Sequence, residues 1–576
     1  MNLSAQQPAV WAAGTIDQDL ALTAVFEERA ENLSQDELWK WSAETDRDRA
    51  LLVKLKGSGT KLLSGPRGSG KSTLLRKAYF ALLEDGQALP AYVNFSRSLA
   101  LEPLFHTNAN APQVFQQWLI RKMIAGVWEA VQLISSATPA ALNQIGPESI
   151  DYIQRLETGQ DPPKLPRLIS PSELLLLLET WSKEVGRSRC VLFLDDAAHA
   201  FSPEQQRDFF EVFRALKSRH VAAKAAVYPG ITSYSPYFHV GHEAEVLEAW
   251  YPPDDEAYLT TMRSIVQTRL PAALYDRFEG KTEIIDFLAL ASFGLPRGFL
   301  NMLSYVLGVD DNASVKPTRR NAERAVALQA ESVRNIFSAL RDKLPRLKNF
   351  VDVGLDLQRA VVHALRSFNS TKPPGREKTA VVAIAEPIPT EISRILGMAE
   401  YAGILRRGNS VSRGVKGVFQ RYTLHYSIVL AENSLSLGKS YGLDDANRSL
   451  ASTSAHAFVR VQVPGLLGPS FAERCTIDLA PCQKCQAPRI SEDAKFCMRC
   501  GAELKDLSVY DELIHADIDK LPLTPNKIRG LKTHTSLRTV QDILLDQEAI
   551  QIRKVPYVGP IWSSRIQTAA QEYVSV

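Results

Sequence analysis

Nine residues, GPRGSGKST (Gly65–Thr73), constrain this 576-residue chain more than anything else in it. They match the pattern G-x-x-x-x-G-K-[ST] with Gly65, Gly70, Lys71 and Ser72 in register, and with Gly68 and Thr73 inside the run. Each residue type has a task in holding phosphate. Glycines let backbone N–H groups turn inward, the lysine reaches the β- and γ-phosphates, and the Ser72 hydroxyl ligates Mg²⁺. The flanks agree: KLLS (Lys61–Ser64) reads as a short buried strand, and Ser72–Asp85 as an apolar-periodic helix whose N-terminus faces the phosphates.

A second motif, CVLFLDD (Cys190–Asp196), pairs with the first. Its apolar run reads as a strand buried on both faces of a parallel sheet. The two acids then fall at the carboxyl end of that strand, where open α/β sheets bind ligands. Asp195 is expected to hold Mg²⁺ and Asp196 to polarise the attacking water. Ser202, Pro203 and Gln205 form a capping-box start for the next helix. AYVNF (Ala91–Phe95) and AKAAVYPG (Ala223–Gly230) read as further strands, with a mostly helical insertion over 96–188 whose clearest helix is Val114–Ile134. Alternation of this kind predicts a parallel α/β nucleoside-triphosphatase core over 51–250, after an N-terminal helical segment, 1–50.

Gly294-Leu295-Pro296-Arg297 lies within a helical stretch, Asp254–Leu307, C-terminal to the acidic strand. With the two earlier motifs, this chain resembles AAA+ ATPases of the origin-recognition initiator branch and the related STAND group. The resemblance implies ATP as the nucleotide and a helical lid, 251–345, whose Arg297 approaches the γ-phosphate. It also implies two departures. Between Arg219 and Arg263 there is no arginine, and the only lysine is Lys224, so a finger reaching into a neighbouring subunit is missing from that segment. Asp196 stands where fast members carry Glu. Both point to a slow, switch-like ATPase. Thr232 is the candidate for a water-sensing residue after the fourth strand.

Beyond the lid, the amphipathic positions Leu357, Val361, Leu365 and Phe368 predict one helix and Thr390–Leu396 another. Strand, glycine-rich turn and strand follow over Gly403–Leu430. Helix, helix and hairpin give the order of a winged helix, expected over 346–435, which the initiator branch carries after its lid. The hairpin holds Arg406, Arg407, Arg413, Lys416 and Arg421 with no acid between Ile404 and Arg421, a charge pattern suited to a DNA backbone. Residues 436–474 are weakly patterned and read as linker.

Four of six cysteines cluster as Cys482-x₂-Cys485-x₁₁-Cys497-x₂-Cys500, the spacing of a four-thiolate Zn²⁺ ribbon, expected over 475–506. The stretch resembles small bacterial zinc ribbons that end in F-C-x-x-C-G. Two disulfides are the alternative, and a cytoplasmic setting argues against them. The last segment, 507–576, carries VPYVGP (Val555–Pro560), which reads as a helix-hairpin-helix turn with Gly559 turning N–H groups toward a phosphate. It resembles the C-terminal domain of the bacterial RNA polymerase α subunit. That family's main DNA-contacting arginine falls on Asn526 and its basic residue after the hairpin glycine on Pro560, so Arg529, Lys527 and Arg565 are the candidates that compensate.

Charged residues make up 23% of the chain and the net charge is +3, so composition selects neither nucleic acid nor membrane. No run of roughly 18 apolar residues is present, and no basic-then-apolar leader opens the chain, so the expectation is a cytoplasmic protein without a membrane partner. The combined expectation is a bacterial ATP-dependent switch, in a defence or mobile-element system, that engages DNA through its C-terminal modules. It would act on an effector protein in trans and is a candidate homo-oligomer. The alternative is an ATP-binding scaffold whose modules dock a protein complex.

Overall fold

The computed structural model describes residues 25–26, 29–43, 45–95, 101, 110–135, 137–157, 165, 167–197, 203–308, 316–372, 378–438, 441–451, 457–490, 494, 496–504, 509–523, 525–546, 548–556 and 558–574. Ser202, expected as a helix cap, lies outside them, as does most of segment 1–50 before Arg29. Two short helices, Gln35–Lys40 within that segment and Asp46–Lys56 across its end, open on full capping boxes at Ser34 and Thr45.

Five strands form the first sheet: β1 Lys61–Ser64, β2 Ala88–Asn94, β3 Arg189–Asp195, β4 Val221–Val227 and β5 Glu245–Glu248. All pair in parallel, in the order β2-β3-β4-β1-β5. β4 is buried along its whole length and β3 from Cys190 onward, which is why both read as continuous apolar runs. The helix after β1, Lys71–Asp85, packs against β2 and β3. Lys224 lies fully buried in β4, where its ammonium donates to the carbonyls of Gly57 (2.8 Å) and Gly59 and so ties down the turn before β1. The insertion is helical over Ala111–Ile134, Ala140–Glu157 and Pro171–Glu184.

The segment expected as a lid holds helices Tyr258–Arg269, Thr282–Ala291 and Pro296–Leu307, followed by Arg319–Ser338. Gly294 has φ +77°, and a Cβ there would sit 1.9 Å from the Tyr251 carbonyl oxygen. Only glycine closes that turn, and Pro296 then starts the arginine-bearing helix.

A second sheet of β6 Val381–Ala385, β7 Leu405–Ser412, β8 Val418–Leu424 and β9 Val459–Val461, in the order β7-β8-β6-β9, contains the expected hairpin as β7 and β8. Helices Lys348–Ser370 and Thr390–Tyr401 pack beside it. Two of its strands were not foreseen: β6 Val381–Ala385, which pairs antiparallel with β8, and β9 Val459–Val461, which pairs parallel with β6. The stretch expected as linker therefore differs from that reading. It holds helices Leu443–Ala451 and Val463–Leu467 besides β9, and Leu443, Ala446, Leu450 and Val463 join the main core. Helix Thr390–Tyr401 meets the first sheet backbone to backbone, since a Cβ on Gly397 would lie 2.8 Å from Cα and from the carbonyl oxygen of Gly230.

His425, at the start of helix Tyr426–Ala431, is fully buried beside the Phe293 ring, and its Nδ1 accepts from the Ser427 N–H at 3.2 Å. Burial pushes this imidazole down to about 3. The fold thus keeps the ring neutral, whereas the unfolded chain protonates it near pH 6.5. Stability is expected to be undiminished above pH 6.5. It should fall between about 6.5 and 3 by at most ~1.4 kcal/mol per pH unit. Denaturation midpoints of wild type and His425→Gln at pH 7.5 and 5.5 test this: acidification should cost the wild type more, and equal losses would refute it.

Candidate nucleotide site and metal centre

At the carboxyl end of β1 the loop bends with Gly68 at φ +80° and Gly70 at φ +90°, and the helix starts at Lys71. The Lys71 ammonium is buried. It donates to the carbonyls of Gly65 (2.8 Å) and Pro66 (3.0 Å) and lies 3.8 Å over the Tyr228 ring. Burial, opposed by Asp196 and Asp195, leaves it at about 7. Ser72 and Thr73 line the same cavity.

The acids come from the carboxyl end of β3, which β4 separates from β1 in the sheet. Asp195 is fully buried and accepts from Tyr92 Oη at 2.6 Å, a contact allowed by the β2–β3 register. Burial and Asp196 raise its carboxyl to about 7 against hydrogen bonds from Tyr92 and Ser72. Asp196 follows in a left-handed turn at φ 51° and accepts from Tyr228 Oη at 3.1 Å. Lys71, Ser72, Asp195 and Asp196 therefore lie together at the carboxyl ends of β1 and β3. A phosphate chain would find the loop's N–H groups and Lys71, and a Mg²⁺ ion the oxygens of Ser72 and Asp195.

Arg297 closes the cavity from the lid side. Its backbone N–H faces the Gly68 carbonyl at 3.5 Å, and the space beside Gly68 is filled by its own Cβ. Its guanidinium donates to Glu572 Oε1 at 3.2 Å. Thr232 is not placed as expected: its hydroxyl caps the chain after β4, donating to the Tyr228 carbonyl at 2.7 Å and accepting from the Tyr228 N–H at 3.1 Å. The side chain that β4 delivers to the site is Tyr228 instead. Sequence reasoning missed Tyr228, Tyr92, Arg29, Arg67 and Glu572. For Arg67, one place inside the loop motif, the signal was available; for Glu572, hundreds of residues away, there was none.

The four cysteine sulfurs of the ribbon all lie within 4.8 Å of one another. Cys482 and Cys500 are 3.5 Å apart, Cys485 and Cys497 3.6 Å, and no disulfide joins them. A tetrahedral Zn²⁺ with bonds of about 2.3 Å spaces its sulfurs by about 3.8 Å, so the donor set fits that ion. Each pair sits on a tight knuckle, where Gln486 N–H returns to the Cys482 carbonyl (2.8 Å) and Gly501 N–H to that of Cys497 (2.9 Å). Backbone N–H groups of Cys500 and Arg499 aim at Cys497 and hold its thiol down at about 6, which favours the thiolate a metal needs.

No family model matches the chain, and no curated protein does either. Solved structures do. The Walker-type ATPase PABY2304 of Pyrococcus abyssi is 15% identical over 72% of this chain and 99% of its own, with a TM-score of 0.40. The Aeropyrum pernix Orc1 protein, solved in complex with DNA, is 17% identical over 69% and 96%, with a TM-score of 0.30. Cdc6p from Pyrobaculum aerophilum is 14% identical over 72% and 97%, with a TM-score of 0.29.

The basic hairpin is not one uniform surface. Arg406 turns back to the first sheet, pairing with Asp254 (3.1 Å) and Glu248 (3.4 Å) beside Trp250. Arg421 donates to the Asn409 carbonyl at 2.9 Å, and Arg413 lies 4.9 Å over the Phe458 ring. Arg407 is exposed on β7; the Lys416 side chain lies outside the described residues. In the last module, Arg529 and Gly559 are exposed, while Lys527 and Arg565 flank Trp562 at 4.5 and 5.4 Å. Gly559 adopts no left-handed φ; its carbonyl accepts from the Ser563 N–H at 3.0 Å at the start of helix Pro560–Val574. Among the described residues no helix is long and apolar enough to cross a membrane.

Proposed function

We propose that this chain is an ATP-binding, slowly hydrolysing regulatory ATPase of the initiator type that engages DNA through its wing and C-terminal modules. The observation that carries the reading is the convergence of Lys71, Ser72, Asp196 and Arg297, from three separate parts of the chain, on one cavity between the first sheet and helix Pro296–Leu307, with Asp195 buried directly beside Asp196. Bound ATP would be held by the loop from Gly65 to Thr73, with Mg²⁺ between Ser72 and Asp195. Asp196 would orient the attacking water, and Arg297 would report the terminal phosphate to the lid. The missing arginine between Arg219 and Arg263 fits slow turnover.

The scaffold reading, with ATP held structurally and a protein complex docked, gains support from one observation: Arg406 is committed to two carboxylates of the core and offers little to a phosphate backbone. DNA binding across a salt series, with and without ATP, decides between them. Under the DNA reading, log affinity should fall steeply with log salt, and combined Arg407→Ala, Arg413→Ala and Lys416→Ala should flatten the slope by about 2–3 units, about 0.9 per lost phosphate contact. Absence of binding at low salt in every nucleotide state would leave the scaffold.

A further inference from the structure

The nucleotide cavity holds a carboxylate that belongs to the far end of the chain. Glu572, on the last helix, places Oε1 3.2 Å from an Arg297 nitrogen, 3.5 Å from one of Arg67 and 3.5 Å from one of Arg29. Arg67 is part of the phosphate loop itself, and Arg29 enters from the N-terminal segment. Burial would raise the Glu572 carboxyl, yet Arg67, Arg297, Arg29 and Lys343 hold it down at about 2.

This cage is a poor match for a carboxylate. Three guanidiniums share one oxygen, and all three distances exceed the 2.7–2.9 Å of a charge-assisted hydrogen bond. A terminal phosphoryl group carries three oxygens and more negative charge, and guanidinium forks suit it. The cage also opens directly onto Gly68, Lys71 and Asp196. Resting on the nucleotide reading above, we propose that Arg29, Arg67 and Arg297 form a terminal-phosphate subsite, and that Glu572 fills it until a nucleoside triphosphate displaces it and releases the C-terminal module.

The packing of that module fits release. Residues from Ile518 to Ala570 build a hydrophobic cluster of their own, separate from the main core that runs from Val25 to Cys475. The anchors around Glu572 are polar: its carbonyl accepts from Lys343 at 3.0 Å, and the Gln571 side chain accepts from Arg29 at 3.3 Å. Among the described residues the two apolar clusters stay separate, so nucleotide competes mainly with charge pairing at this end of the helix. A diphosphate, which ends one phosphoryl group short of the cage, leaves the module docked.

The test uses the full zinc-loaded chain. ATP and ADP affinities are measured by calorimetry for wild type, Glu572→Gln and Arg67→Ala, and hydrogen exchange of helix Pro560–Val574 is followed with either nucleotide. Glu572→Gln should tighten ATP by about tenfold or more and leave ADP within about threefold, a gap under 0.7 kcal/mol. Arg67→Ala should weaken ATP more than ADP, and ATP alone should speed exchange in the helix. If ATP binds but Glu572→Gln shifts neither nucleotide, or both alike, or if ATP leaves helix exchange unchanged, the displacement proposal fails while the nucleotide reading stands. No ATP binding by wild type or by Glu572→Gln would remove both. Should Glu572→Gln fail to fold, exchange in the wild type decides alone.

Discussion

Lys71→Ala is expected to lose ATP affinity by roughly 30-fold to several thousand-fold, the 2–5 kcal/mol associated with truncating one partner of a buried charge pair. The ammonium is already seated where it must act, pinned by the carbonyls of Gly65 and Pro66 and roofed by Tyr228. The ammonium is held within the loop before phosphate arrives, so little of its contribution is spent on ordering the side chain. The same burial means that the fold gains little from the charge, because a desolvated cation facing carbonyl dipoles and a ring recovers only part of its lost hydration. The variant should therefore melt within a few degrees of wild type, the shift of about 1 kcal/mol in a chain of this size. Calorimetric titration with ATP, run beside a thermal melt, checks both halves. ATP affinity kept within threefold would show that the cavity does not use Lys71 to hold phosphate.

Removing the metal should have the second large effect, confined to one stretch of chain. Among the described residues, the ribbon's own cluster has Cys482, Ala487 and Cys497 as its buried members, too few to fold it. Zn²⁺ binding in small domains supplies ~10–16 kcal/mol, and that energy would be the folding energy here. Outside the knuckles the segment is tied down at its root, where Asp478 N–H reaches the Arg346 carbonyl (2.9 Å) and Asn349 holds Thr476. A strong chelator, or Cys485→Ser, should open the chain around Cys482–Cys500 to protease while ATP affinity stays within about twofold, a change under 0.5 kcal/mol. A ribbon that stays protected after metal removal would contradict the metal-folded account.

Local signals made the nucleotide core legible. The phosphate loop, the helix after it and the acid-tipped strand each announce themselves within about ten residues, through a motif or through the buried-strand pattern. β5 escaped because it is an edge strand: three of the four residues in Glu245–Glu248 are exposed, leaving no alternation to read. β6 and β9 are short and acquire meaning only by pairing with each other and with β8. The supposed linker was passed over because its helices and strand are brief, although helix Leu443–Ala451 buries Leu443, Ala446 and Leu450 against the main core. The site divides along the same line. Lys71, Asp195 and Asp196 were readable from adjacent letters, whereas Tyr228 was hidden behind a run of ordinary strand residues and Glu572 sits in an unremarkable terminal helix. Arg406 shows the converse failure: a run of basic letters cannot reveal that one of them has turned inward to Glu248 and Asp254.

The meeting of Gly230 and Gly397 limits how the protein can move. Most packed helices slide on side chains, which swap rotamers and let a joint drift through intermediate angles. Here two main chains touch with nothing soft between them, next to the point where Arg67 N–H faces the Tyr401 carbonyl at 3.3 Å. A small rotation of helix Thr390–Tyr401 has no rotamer to absorb it, so the contact is either kept or broken. Should a nucleotide bind as proposed and move the loop, the hairpin of β7 and β8 would feel the change as a step rather than as a drift.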